Sequence, residues 1–184
     1  MVLLIVDVQN LIVTPDLYHY DLFVSNVRQL IHFARKSNVE IVYICHDDGV
    51  ELVKGEDGFN IFKDFAPFPG EKIFEKHVNS AFRDTGLTEY LHSKNENQVM
   101  IAGLQTDYCI DATIKCGFEH GFEMIVPADC NTTVSNEYLS GEQSYRYYNE
   151  KMWNKRYAKC VSFEDGLSML KSSSLEQGLQ ISRS

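Results

Sequence analysis

Lysine and arginine nowhere cluster into a stripe in this chain, and 17 basic against 26 acidic residues leave a formal net charge of −9. Nucleic acid and anionic membrane are therefore poor partners, because both are held by a basic surface. No apolar run is long enough to cross a bilayer. The N-terminal run is interrupted by Asp7 and has no basic segment before it, so it is neither a secretory signal nor a transmembrane span, and a cytoplasmic location is expected. Also missing is the CxxC spacing of metal and redox sites: Cys45, Cys109, Cys116, Cys130 and Cys160 stand apart. Five is an odd number, and it argues for free thiols rather than a disulfide framework. With 44% apolar residues in 184, the chain can build one sizeable core without metals or disulfides.

What is present is an alternation of strands and helices. Met1 to Val6 reads as a buried parallel strand, and further strands are expected at Val39 to Cys45, at Lys72 to Lys76, at Gln98 to Ala102 and at Phe122 to Val126. Between the first two lies a helix from Asp21 to Lys36, with Asp21 as N-cap and Phe23, Val27, Leu30, Ile31 and Ala34 at helical spacing. A second helix starts near Cys109 and is expected to stop at Gly117. Tyr145, Tyr148 and Met152 suggest a third, and Ser162 resembles the cap of a last one over Leu167 to Leu170. The pattern predicts an α/β fold, a three-layer αβα sandwich around a mostly parallel sheet, formed by one domain over 1–171 with a flexible tail over 172–184.

Residues 47–72 break this regularity. So long a connection, rich in glycine and proline, reads as a binding loop or lid. Phe59, Phe62, Phe65 and Phe68 recur within it, and plugging the core or lining a pocket are equally open to them.

The chemistry concentrates where strands end. The run Gly103-Leu104-Gln105-Thr106-Asp107-Tyr108-Cys109 carries a strand through a tight turn into the first turn of a helix. There the unpaired N–H groups and the positive end of the dipole lean a thiol toward thiolate and remain free to hold an oxyanion. The dipole is worth only ~0.3–1 kcal/mol, so a base and a cation are needed beside the sulfur. Asp7 and Lys76, each at the end of a strand, offer them, and the carboxyl ends of neighbouring strands in an open α/β sheet converge on one crevice. Cys45, Cys116 and Cys160 read as small buried hydrophobes, and so does Cys130, although it too follows a strand end in a turn.

The segment Asp7-Val8-Gln9-Asn10 after an apolar strand, Lys76 followed by Asn79-Ser80-Ala81-Phe82, the Gly103 to Cys109 turn and Val126-Pro127-Ala128-Asp129-Cys130-Asn131-Thr132 together resemble the isochorismatase-like cysteine hydrolases, the nicotinamidase-related amidohydrolases. The likeness covers roughly residues 1–170. It implies six strands in the Rossmann-like order 3-2-1-4-5-6 and a catalytic triad of Asp7, Lys76 and Cys109. It also implies an oxyanion hole from the backbone N–H groups of Gln105 and Cys109, with a cis peptide between Leu104 and Gln105. The implied activity is cleavage of a C–N bond in a small amide, ureide or lactam through a Cys109 thioester, in a homo-oligomer, a dimer or tetramer, whose subunits commonly share pocket residues. Two alternatives are an isochorismatase-type vinyl ether hydrolase, which needs no thiol, and a non-catalytic ligand-binding or redox-sensing module. No cofactor is implied. Nicotinamidases of this family bind a metal through Asp-x-His after the second strand, but here the segment is His46-Asp47-Asp48 and no histidine occurs in 49–75. No metal site is therefore expected, and His46 and Asp48 are left to loop hydrogen bonding or substrate contact.

Overall fold

The computed structural model describes residues 1–181, with side chains through Ser172. Its strands and helices are β1 (Val2–Val6), α1 (Tyr20–Lys36), β2 (Glu40–His46), β3 (Lys72–Lys76), α2 (Leu87–Ser93), β4 (Gln98–Leu104), α3 (Asp111–Glu119), β5 (Glu123–Pro127), β6 (Asn131–Thr132), α4 (Gly141–Arg146), β7 (Ala158–Val161) and α5 (Phe163–Ile181). The strands pair in parallel in the order β3-β2-β1-β4-β5-β7, and the two-residue β6 pairs with β4 beyond the reach of β5. The expected order 3-2-1-4-5-6 holds with β7 in the sixth place, and β6 makes the sheet seven-stranded rather than six-stranded.

β1 is apolar without alternation because both of its faces are covered. All five of its residues are fully buried. Leu3 and Ile5 pack with Phe23, Val27, Leu30 and Ile31 of α1 and Leu170 of α5, whereas Val2, Leu4 and Val6 pack with Leu87 and Leu91 of α2 and Ile114 of α3. Each such side chain contributes about 1.5–3 kcal/mol on burial, which fixes β1 in the middle of the sheet and with it the place where the chain emerges at Asp7. β1 and β4 also approach closely: Gly103 has φ +134°, and a Cβ there would lie 2.0 Å from the carbonyl oxygen of Val6. Only glycine fits.

Local details differ from the expected boundaries for physical reasons. Asp21 is not the cap of α1; His19, in the left-handed region at φ 53°, holds that place, and Asp21 lies in the first turn, where its charge still favours the dipole. α3 runs through Gly117 to Glu119. Gly117 is there for packing, since a Cβ would meet Met124 Sδ at 2.5 Å, and the chain turns at Gly121, φ +86°. α5 spans Phe163–Ile181, with Ser162 Oγ accepting the N–H of Asp165 at 3.1 Å. The expected tail over 172–184 thus begins inside this helix, and its last residues, 182–184, lie outside the described residues.

The long connection from β2 to β3 is tied down. Asn10 N–H donates to Asn60 O at 2.8 Å, Leu11 N–H to Gly58 O at 3.1 Å and Phe62 N–H to Val8 O at 2.8 Å, an antiparallel stitch against the segment that follows β1. Phe65 is fully buried edge-on to Phe23, with Phe62 beside it, and Phe68 lies under the Arg35 guanidinium at 3.7 Å. These aromatics fasten the loop to α1.

Candidate active site

Four neighbouring strands each deliver one side chain to a single point. Lys76 ends β3, His46 ends β2 opposite it in the register, Asp7 follows β1, and Cys109 lies in the π-helical turn Thr106–Ile110 that joins β4 to α3. Asp7 takes a left-handed backbone conformation, φ 53°, with its N–H donating to Ile44 O at 2.9 Å, so the chain turns sharply as it leaves the sheet. From the edge strand, Lys76 must reach across the end of β2 to meet Asp7, a gap of about two strand spacings of ~4.8 Å. Its four-carbon stem spans that gap, and the residue is only 1% exposed.

The Lys76 ammonium is the hub. Nζ lies 2.7 Å from Asp7 Oδ2, 3.0 Å from His46 Nδ1 and 3.2 Å from Cys109 Sγ. Cys109 Sγ is also 3.7 Å from His46 Nδ1 and 3.8 Å from Asn79 Oδ1. Burial raises the Asp7 carboxyl above its ordinary value of 3.8, against the pull of Lys76 and of the neighbouring thiol. Burial and then the charge of Asp7 push the Cys109 thiol up to about 12, with Lys76 opposing. This reverses the lean toward thiolate expected from the helix end alone. The two acids compete for one ammonium, so the site holds one negative charge beside Lys76 rather than two. His46 is held below its ordinary value by burial and by Lys76, so the imidazole is neutral and accepts the ammonium N–H at Nδ1.

A second layer fixes His46. The side chain of Gln9, fully buried, accepts the N–H of His46 at 2.9 Å through Oε1 and donates to His46 O and to Phe59 O, each at 3.0 Å, through Nε2. One amide thereby joins the ends of β1 and β2 to the long loop.

Cys109 is 7% exposed and opens on a cavity of about 440 Å³. Ile12, Leu52 and Val134 give it apolar walls, and Asn79, Gln105 and Tyr108 lie around the sulfur. None of the four loop phenylalanines lines it; the loop contributes Asp48, Glu51 and Leu52 instead. Asp48 Oδ1 accepts the N–H groups of Val50, Glu51 and Leu52 at 2.8, 2.8 and 3.0 Å, which shapes the turn at the mouth. The Leu104-Gln105 peptide is cis, and Gln105 lines the cavity beside Cys109. Asp7, Lys76 and Cys109 come together, while Cys130 is sealed elsewhere in the α1-side core. His46 is the contact that sequence reasoning left undecided; its place at the end of the strand next to β1 was the available signal.

Ligand atoms of Asp7, His46 and Cys109 lie within 4.8 Å of one another, as a metal site requires. The Lys76 ammonium sits among all three, and a fixed cation in that position repels a metal ion.

Residues 1–153 match the isochorismatase domain family. A secreted isochorismatase effector of Verticillium dahliae is 29% identical over 107 residues, 56% of this chain and 56% of that protein. Maleamate amidohydrolase of Pseudomonas putida is 34% identical over 80 residues, 44% of this chain and 38% of that one. The chain thus matches about half or less of the length of these two relatives. A crystal structure of an isochorismatase family protein superposes with a TM-score of 0.82 at 27% identity, covering 88% of this chain and 97% of the other.

Proposed function

The chain belongs to the isochorismatase family, and from that membership we propose that it is a cysteine hydrolase cleaving the C–N bond of a small amide, ureide or lactam. The observation that carries this reading is the buried Lys76 ammonium at 2.7 Å from Asp7 and 3.2 Å from Cys109 Sγ, where Cys109 lines a cavity. In the resting state Asp7 is the anion and Cys109 a thiol. As substrate enters, the thiol proton passes to Asp7, and the negative charge moves to sulfur without leaving the ammonium, so little electrostatic work is needed inside the buried site. The sulfur then bonds to the carbonyl carbon, and the carbonyl oxygen becomes an oxyanion received by the N–H groups of Gln105 and Cys109. Asp7 returns the proton to the nitrogen, the C–N bond breaks, and an amine and a Cys109 thioester remain. Water next gives its proton to Asp7 and attacks the thioester, and sulfur leaves and recovers the proton, releasing the acid.

His46 accepts from the ammonium throughout and keeps it aimed, which makes it a positioning residue. Presence of Cys109 against Lys76 favours this route over vinyl ether cleavage, which needs no thiol, and a cavity that reaches Cys109, with Asp7 and Lys76 buried beneath it, favours catalysis over a binding or redox-sensing module. Unpaired thiols at all five cysteines agree with a cytoplasmic home. No helix among the described residues is long and apolar enough to cross a membrane. The substrate is a small molecule, the domain spans 1–171, and the working form is a homo-oligomer. A screen for ammonia released from nicotinamide, ureides and carbamoyl amino acids, and for ring-opened amino acid from lactams, tests the reading: wild type gives product from at least one and Cys109→Ala from none. Equal product from the variant contradicts it.

A further inference from the structure

Resting on the hydrolase reading for its substrate chemistry, we infer that the cavity over Cys109 selects neutral and cationic amides and rejects those carrying a carboxylate. The cavity is lined by three carboxylates, Asp48, Glu51 and Asp107, and, among the described residues, by no lysine or arginine. Each of the aspartates is anchored through one oxygen, Asp48 Oδ1 by the three loop N–H groups and Asp107 Oδ1 by the Thr133 hydroxyl at 2.6 Å, so their charges are fixed at the wall. Those three N–H bonds also hold the Asp48 carboxyl below its ordinary range, in the charged form.

The two basic groups near the sulfur do not offset this. Lys76 is spent on Asp7, His46 and Cys109 beneath the floor, and His46 is neutral. Asp7 and Lys76 together carry no net charge. A substrate carboxylate entering the cavity would therefore meet like charges and, among the described residues, find no cation to pair with, whereas an ammonium would meet three carboxylates. The apolar walls at Ile12, Leu52 and Val134 leave a neutral chain acceptable.

Two assays separate this inference from the hydrolase reading. The first alkylates Cys109 with iodoacetamide, iodoacetate and bromoethylamine, each rate divided by that of glutathione with the same reagent, and locates the adduct by peptide mass spectrometry. The expected order is bromoethylamine, iodoacetamide, iodoacetate, with iodoacetate depressed roughly tenfold. Added salt and the pair Glu51→Gln with Asp107→Asn, which keeps an oxygen to accept the Thr133 bond, both narrow the spread. Iodoacetate reacting at Cys109 as readily as iodoacetamide, on the glutathione scale, overturns the inference. The second assay compares kcat/KM for γ-aminobutyramide, valeramide and succinamate, three amides of one length. Succinamate is expected last, and succinamate preferred overturns the inference even if hydrolysis is proven. Hydrolysis of none of the three, with the alkylation order intact, counts against the hydrolase reading and leaves the charge preference standing.

Discussion

Two turns of this sheet each carry a cysteine just past a strand, and only one of them has the surroundings of a nucleophile. After β4, Cys109 lies 3.2 Å from the Lys76 ammonium and opens on a cavity. After β5, Cys130 is fully buried, and its thiol has a backbone oxygen, that of Ala128 at 3.4 Å, for its hydrogen bond. Burial pushes both thiols up, and a neighbouring aspartate pushes each further. Neither burial nor the direction of the shift therefore distinguishes them. What differs is the Lys76 ammonium shared with the Asp7 carboxylate, and a cavity that reaches the sulfur. Cys130 serves the sheet instead, since its carbonyl oxygen accepts the N–H of Gly103 at 2.9 Å and so seats β6 beside β4.

Replacing both cysteines breaks the comparison most visibly. Cys109→Ala is expected to abolish ammonia release with the fold intact by circular dichroism, whereas Cys130→Ala keeps turnover. Next in size is Asp7→Asn, expected to lower kcat by ~10²–10⁴ through loss of the proton acceptor. Its pH dependence follows from the sign of the shift. Asp7 must be ionised to accept the proton and its pKa is raised, so wild-type kcat/KM falls as pH drops through a value above 3.8, and no such limb tied to Asp7 remains in the Asn variant. A pH profile of each protein checks this.

A smaller effect is expected at Gln9→Leu, which strips partners from the His46 N–H and C=O and costs about 1–3 kcal/mol in urea unfolding, together with a fall in kcat as the imidazole and ammonium lose their aim. The smallest is the stability loss in Cys130→Ala, roughly 1 kcal/mol for a small buried group, read by the same unfolding curve.

Much of the frame was legible because its signals are long or strong. β1, and β4 after Gln98, are unbroken apolar runs, and α1 has five core residues at helical spacing, so the order of layers followed from their alternation. Short elements were not legible: α2 has seven residues and β6 two, too few to show a period. Gly117 misled because a glycine needed for close packing against Met124 looks the same in sequence as one that ends a helix. In the site, Asp7, Lys76 and Cys109 stood out through their strand-end positions and the motifs around them. The contact of His46 with Lys76 did not, because it depends on a side chain crossing from β3 over β2, which no pattern along the chain records. The loop phenylalanines were equally silent, since packing on α1 and lining a cavity call for the same residue type.

The most direct test follows the sulfur during turnover. Protein mixed with the amide it hydrolyses fastest, quenched in acid within a single turnover and digested, is expected to carry the acyl group on the Cys109 peptide and none on the Cys130 peptide. Release of the amine with the Cys109 sulfur unmodified at every time point would contradict the account.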